Sequence, residues 1–143
     1  MTDDLCYKLN YLGRLLLSQV NQRIRVHGVT QGQLPVLCCL HDEEGQTQKE
    51  LCQKIQVEQP TMANTLYRME RDGLIYRTLN EDDKRQARIF LSEKTRPTVE
   101  VLRIKRDEVI AAMTRHMTRE ELETFHRLLD KAMQSLENQK SDE

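Results

Sequence analysis

A chain of 143 residues with 31% charged and 38% hydrophobic residues, no Trp, three Pro and five Gly has the size and composition of one soluble, helix-rich domain. Disordered and collagen-like classes are excluded, and a core can form without disulfides or structural metal. No apolar run reaches the ~18 residues of a membrane span, and Met1-Thr2-Asp3-Asp4 lacks the basic start of a secretory signal, so a cytoplasmic location with no membrane partner is expected. The formal net charge of -1 is unevenly spread: residues 47–96 hold ten Lys/Arg against eight Asp/Glu, whereas residues 118–143 hold four against seven. A mildly basic middle permits nucleic-acid binding without demanding it. Cys6, Cys38, Cys39 and Cys52 are expected to be thiols in a reducing compartment rather than a disulfide framework.

Leu5, Leu9, Leu12, Leu16, Val20 and Ile24 recur at three- and four-residue spacing, which predicts a helix from about Asp4 to His27, stopped by Gly28. Thr30-Gln31-Gly32-Gln33 has the form of a capping box and is expected to open a second helix ending near Gly45. Thr47-Gln48-Lys49-Glu50 repeats the device and opens a short third helix containing Leu51 and Ile55. After the tight turn Gln56-Val57-Glu58, Pro60 suits the first position of a fourth helix. There Met62, Leu66 and Met69 face inward, Thr61, Asn64, Thr65 and Arg68 face outward, and Asp72-Gly73 ends the run. The apolar runs Leu74-Ile75-Tyr76 and Ile89-Phe90-Leu91 flank NEDDKRQAR, which reads as the charged tip of a β-hairpin. A long helix is predicted from about Arg96 to Met117, carrying Val99, Leu102, Val109, Ile110 and Met113. Thr118-Arg119-Glu120-Glu121 is a third capping box, launching a last helix striped by Leu122, Phe125, Leu129, Ala132, Met133 and Leu136, with a frayed tail from Asn138 to Glu143.

Two short helices joined by a tight turn and followed by a hairpin outline a winged helix-turn-helix, with the fourth helix as the recognition helix. The fold class is therefore mainly α with a small β-hairpin wing, in a single domain spanning residues 1–143. Residues 30–95 form the expected DNA-binding region. The apolar stripes of the first, fifth and sixth helices exceed what a small core absorbs, so residues 1–29 and 96–139 are expected to form a helical dimerisation region. On the polar face of the fourth helix, the Arg68 guanidinium, the Asn64 amide and the hydroxyls of Thr61 and Thr65 match what base edges and phosphates require.

The stretch TQKELCQKIQVEQPTMANTLYRMERDGLIYR, followed by DDKRQARIFLSEK, resembles the MarR family of bacterial transcription regulators, and the resemblance covers nearly the whole chain. It implies a homodimer on a palindromic duplex operator, most often acting as a repressor. Thr47, Gln48, Gln59, Pro60, Thr61, Asn64, Thr65, Arg68, Arg77, Asp83, Lys84 and Arg85 are the implied DNA contacts. In that family an Asp-x-Arg in the wing, matched by Asp83-Lys84-Arg85, sends its Arg into the minor groove while the Asp braces it. Family members commonly bind small aromatic anions in a cleft beside the dimer helices. Here the resemblance points to Arg14 as the cation, with Tyr11, Val36 and Cys39 as walls. Leu5-Cys6-Tyr7 is similar to the setting of the peroxide-sensing cysteine in one branch of the family, which keeps a thiol-switched regulator open as an alternative.

No GxSxG, Walker, GxGxxG, HExxH or CxxC pattern occurs, and the four histidines have no ligand-like spacing. No catalysis, metal or cofactor is expected. Cys38-Cys39-Leu40-His41 does not suit a metal, because adjacent helical cysteines project in different directions. From another class, a protein-interaction winged helix that binds no nucleic acid also stays open, with salt-dependent duplex binding as the discriminator.

Overall fold

The computed structural model describes residues 4–79 and 86–141. Asp83, Lys84 and Arg85, the expected wing contacts, lie outside the described residues. The chain is mainly helical with a two-stranded antiparallel hairpin, and it divides into two compact units, Met1–Val109 and Ile110–Glu143. No helix among the described residues is long and apolar enough to cross a membrane.

In the first unit, α1 (Leu5–Ile24) starts on Asp4, whose carboxylate accepts the Cys6 N–H at 3.0 Å. Only Val20 and Ile24 at its far end are buried, while Leu5 and Leu9 stand 70% and 54% exposed. The apolar stripe thus meets solvent at its start, while Leu12 and Leu16 are half-buried. A 3-10 turn, Arg25–His27, ends on Gly28 at φ 75°, a left-handed conformation that favours glycine.

The second helix, α2 (Leu34–Asp42), begins later than its capping-box signal and ends before Gly45. The Thr30 N–H does donate to Gln33 Oε1 at 3.2 Å, but residues 31–33 fold as a turn. Pro35 then occupies the first helical turn, where its missing N–H costs nothing. Helix α3 (Gln48–Ile55) is capped by Thr47, whose hydroxyl accepts the Glu50 N–H at 3.2 Å, and stops at Gln56 in a left-handed conformation. Helix α4 (Gln59–Arg71) carries Pro60 at its second rather than its first position. Its exit is closed by Gly73 at φ 77° and by the Leu74 N–H donating to Met69 O at 2.9 Å.

Strands β1 (Ile75–Thr78) and β2 (Arg88–Leu91) pair with Ile75 opposite Leu91 and Tyr76 opposite Phe90. On the outer side the Tyr76 and Phe90 rings stack at 5.5 Å, and on the inner side Ile75, Ile89 and Leu91 enter the core. β2 also bridges to Gln46, with the Ile89 N–H donating to Gln46 O and the Gly45 N–H to Ile89 O, each at 2.9 Å. Met62, Leu66 and Met69 of α4 are fully buried against a core that includes Leu37, Leu40 and Leu51, and Val99 and Leu102 of α5 (Arg96–Met113) complete it.

That fifth helix ends at Met113 instead of Met117. Thr114 donates its hydroxyl to Ile110 O at 2.9 Å, and residues 114–116 form a turn. In the second unit both halves of the third capping box form: the Thr118 N–H donates to Glu121 Oε1 at 2.9 Å, and the Glu121 N–H to Thr118 Oγ1 at 3.1 Å. Helix α6 (Arg119–Ser141) runs on into the tail expected to fray, as far as Ser141. Leu122 and Phe125 are partly covered, whereas Leu128, Leu129, Met133 and Leu136 are exposed.

Candidate nucleic-acid interface

Helix α4 is anchored by its buried face, so its opposite face is presented on a packed support. Thr61, Asn64 and Arg68 are exposed there, and Thr65 is half-buried. The Thr65 hydroxyl donates to Thr61 O at 3.0 Å, which leaves its oxygen lone pairs for an outside donor. The side chains of Asn64 and Arg68 show no hydrogen-bond partner among the described residues. Beside them lies an open cleft of about 470 Å³ lined by Thr30, Gly32, Gln33, Thr65, Arg68, Arg71 and Asp72. It sets two guanidiniums against the turn that precedes α2.

The other expected contacts are placed differently. Gln48 and Gln59 join the starts of α3 and α4, Nε2 of the first donating to Oε1 of the second at 2.9 Å. Thr47 is buried and its hydroxyl is the α3 cap, so its work is to start that helix rather than to face outward. Arg77 is braced: its Nε donates to Glu70 Oε2 at 2.9 Å, fastening β1 to α4. Arg71 Nε likewise meets Asp72 Oδ1 at 3.1 Å. Two of the acids in this basic region therefore serve as holders of neighbouring guanidiniums.

Sequence reasoning passed over two residues on the same side of α4. Tyr67 is 68% exposed, and Arg71 is exposed as well. Their spacing from Pro60 and Asn64 follows the helical repeat, a signal already present in the chain.

The root of the hairpin is held by Glu44. Its Oε1 accepts the Leu91 N–H at 2.9 Å and Arg96 Nη2 at 3.1 Å, and its Oε2 accepts Arg96 Nε at 2.9 Å. The Arg96 guanidinium holds the Glu44 carboxyl below the usual carboxylate range. Next to it, Lys54 Nζ donates to Glu43 Oε2 at 2.7 Å, and that contact lowers the Glu43 pKa. Gln46, 1% exposed, donates its amide to Cys39 O and Glu43 O at the end of α2.

Of the four expected ligand-cleft residues, Tyr11 and Arg14 stand open on α1, with the Arg14 guanidinium 5.9 Å from the Tyr11 ring centroid. Val36 is a core residue at 2% exposure and has no surface to offer as a wall. Cys39 is half-buried, its sulfur 3.5 Å from Gln46 Nε2. Cys6 is exposed, and the Asn10 amide lies 3.4 Å from its Sγ. The Tyr7 and Tyr11 rings meet edge to face at 5.9 Å on the same helix. Burial pushes the Cys52 thiol up. Among the described residues no group of three His, Cys, Asp or Glu is placed to hold a metal.

The MarR family model matches residues 29–87. The uncharacterized HTH-type transcriptional regulator YwoH of Bacillus subtilis (strain 168) is 31% identical over 101 residues, covering 71% of this chain and 73% of YwoH. A second regulator of the same organism, the uncharacterized HTH-type YybA, is 25% identical over 135 residues, with 94% and 90% covered. A crystal structure of the S. aureus MepR-DNA complex matches with TM-score 0.87 at 25% identity, over 92% of this chain and 98% of that one.

Proposed function

This chain belongs to the MarR family of transcriptional regulators, and we propose on that premise that it is a homodimeric, sequence-specific DNA-binding repressor released from a palindromic operator by a small aromatic ligand. The outward face of α4 carries this reading. Asn64 and Arg68 project from a helix whose other face is locked in the core, with the polar groups that major-groove edges and phosphates accept. MepR, of the same fold, is held in a complex with DNA, which supports duplex DNA as the partner here.

Self-association is supported within each unit by apolar side chains left in water: Leu5 and Leu9 on α1, and Leu128, Met133 and Leu136 on α6. Covering them with a second copy removes that exposure, and two-fold symmetry then sets two α4 helices about one DNA turn, ~34 Å, apart. Arg14 beside Tyr11 offers a cation next to an aromatic face, a pairing that suits an aromatic carboxylate. A ligand there must favour one disposition of the dimer over another to release DNA. The wing contributes through Arg85 in the minor groove, braced by Asp83.

Selection of bound sequences from random duplex DNA tests the reading. A palindromic consensus bound with strong salt dependence is expected; failure to enrich any sequence leaves the chain as a protein-interaction winged helix. A thiol-switched regulator is favoured instead by one observation, the exposure of Cys6 beside the Tyr7–Tyr11 pair. Peroxide-induced release of the operator, lost in Cys6→Ser, would establish that alternative.

A further inference from the structure

Tyr67 is the largest side chain on the outward side of α4. It is 68% exposed, and among the described residues it takes part in none of the ring or cation contacts, which involve Tyr7, Tyr11, Arg14, Tyr76 and Phe90. Helical spacing sets it between Asn64, three residues before, and Arg71, four residues after. Glu70, three residues after Tyr67, is already engaged with Arg77. Among the described residues neither the core nor the hairpin strands use the ring in a ring or cation contact.

Resting on the reading of α4 as a recognition helix, we propose that Tyr67 selects thymine, packing its ring on the C5-methyl group in the major groove. The thymine methyl is the apolar feature of the major-groove edges, and recognising it requires apolar surface rather than a hydrogen bond. Asn64, Thr61 and Arg68 bring donors and acceptors, and Pro60 and Ala63 bring little area. The Tyr67 ring supplies the area. With two side-chain torsions it loses little freedom when ordered against a base.

The experiment uses the full chain and the duplex that wild type enriches from random DNA. Each thymine of a half-site is replaced in turn by uracil, which removes the methyl and keeps every hydrogen-bonding group. Wild type is expected to lose about fourfold in affinity at one such thymine, the change that burying one methyl-sized group produces. Tyr67→Ala is expected to bind the thymine and uracil duplexes equally, and Tyr67→Phe to discriminate as wild type does.

Discrimination that persists in Tyr67→Ala overturns the assignment, as does an enriched half-site without thymine or a wild type indifferent to every replacement. Loss of discrimination in Tyr67→Phe also overturns it, placing the contact on the hydroxyl. These outcomes leave the DNA-binding reading standing. Absence of any enriched sequence removes that reading and this assignment together.

Discussion

Glu44 and Arg96, 52 positions apart in the chain, form a two-pronged pair in which both carboxylate oxygens meet the guanidinium while one also accepts the Leu91 N–H. The carboxyl has a lowered pKa because of Arg96, so the charged form is preferred in the folded state. Its stabilisation is present above the ordinary carboxylate pKa and is lost as pH falls through the lowered folded value. Glu44→Gln keeps an acceptor for Leu91 but loses the charge. It is expected to lower stability by about 1 kcal/mol at neutral pH, since the pair is partly solvated. Urea unfolding across a pH series should show that gap closing as pH falls below the ordinary carboxylate range and through the lowered folded value. A gap unchanged down to acid pH would remove the ionic pair as its cause.

Arg68 lies on the outward face of α4 and lines the cleft beside the turn before α2. Arg68→Ala is expected to weaken the preferred sequence by about 1 to 3 kcal/mol more than its single-base variants at the contacted position. Equal weakening of all sequences in a binding titration would make Arg68 a phosphate contact.

For the wing, Arg85→Ala and Asp83→Ala are each expected to reduce operator affinity at fixed salt while thermal unfolding is unchanged. In the proposed role Asp83 would restrict Arg85 before binding and so lower the entropy lost on docking. An unaltered dissociation constant for Arg85→Ala would rule the contact out.

Leu129 is 38% exposed on α6, in the stripe assigned to self-association. Leu129→Asp places a charge where a second copy is expected to exclude water, at a cost of several kcal/mol. Sedimentation should report monomer, and tight operator binding should disappear. A wild-type monomer at micromolar concentration that still binds a palindrome tightly would contradict the dimer.

Release of DNA is expected from an aromatic carboxylate rather than from oxidation. Arg14→Ala should blunt the ligand's effect in a gel-shift titration and leave ligand-free DNA binding intact. Should wild type ignore such ligands and respond to peroxide only while Cys6 is present, the preference reverses.

Elements whose ends carry their own chemistry were legible in the chain. Thr47 and Thr118 start their helices through local bonds, and the spacing of Met62, Leu66 and Met69 fixed the buried face of α4. Ends decided by competition were not legible. The Thr114 hydroxyl bonds back to Ile110 O and no Gly or Pro marks the stop, so the apolar spacing carried α5 too far. Roles set by distant partners were hidden for another reason: a free Arg77 and one held by Glu70 look identical in sequence. Val36 shows the same limit, since a helical apolar residue is equally suited to a cleft wall or a core, and only packing assigns it. On α4 the polar residues drew attention as base readers, and the exposed ring of Tyr67 did not.

The bridge between Gln46 and Ile89 gives the hairpin a second attachment beyond its own strand pairing. Gln46 also ties down the end of α2 through Cys39 O and Glu43 O, and Glu44, two residues before it, links Leu91 to Arg96 at the start of α5. Sliding β2 by one residue would break its bonds to Gly45, Gln46 and Glu44 together and carry Ile89 out of the core. β2 is thus anchored on both sides of this corner, by Gln46 at the end of α2 and by Glu44, which also holds the first turn of α5.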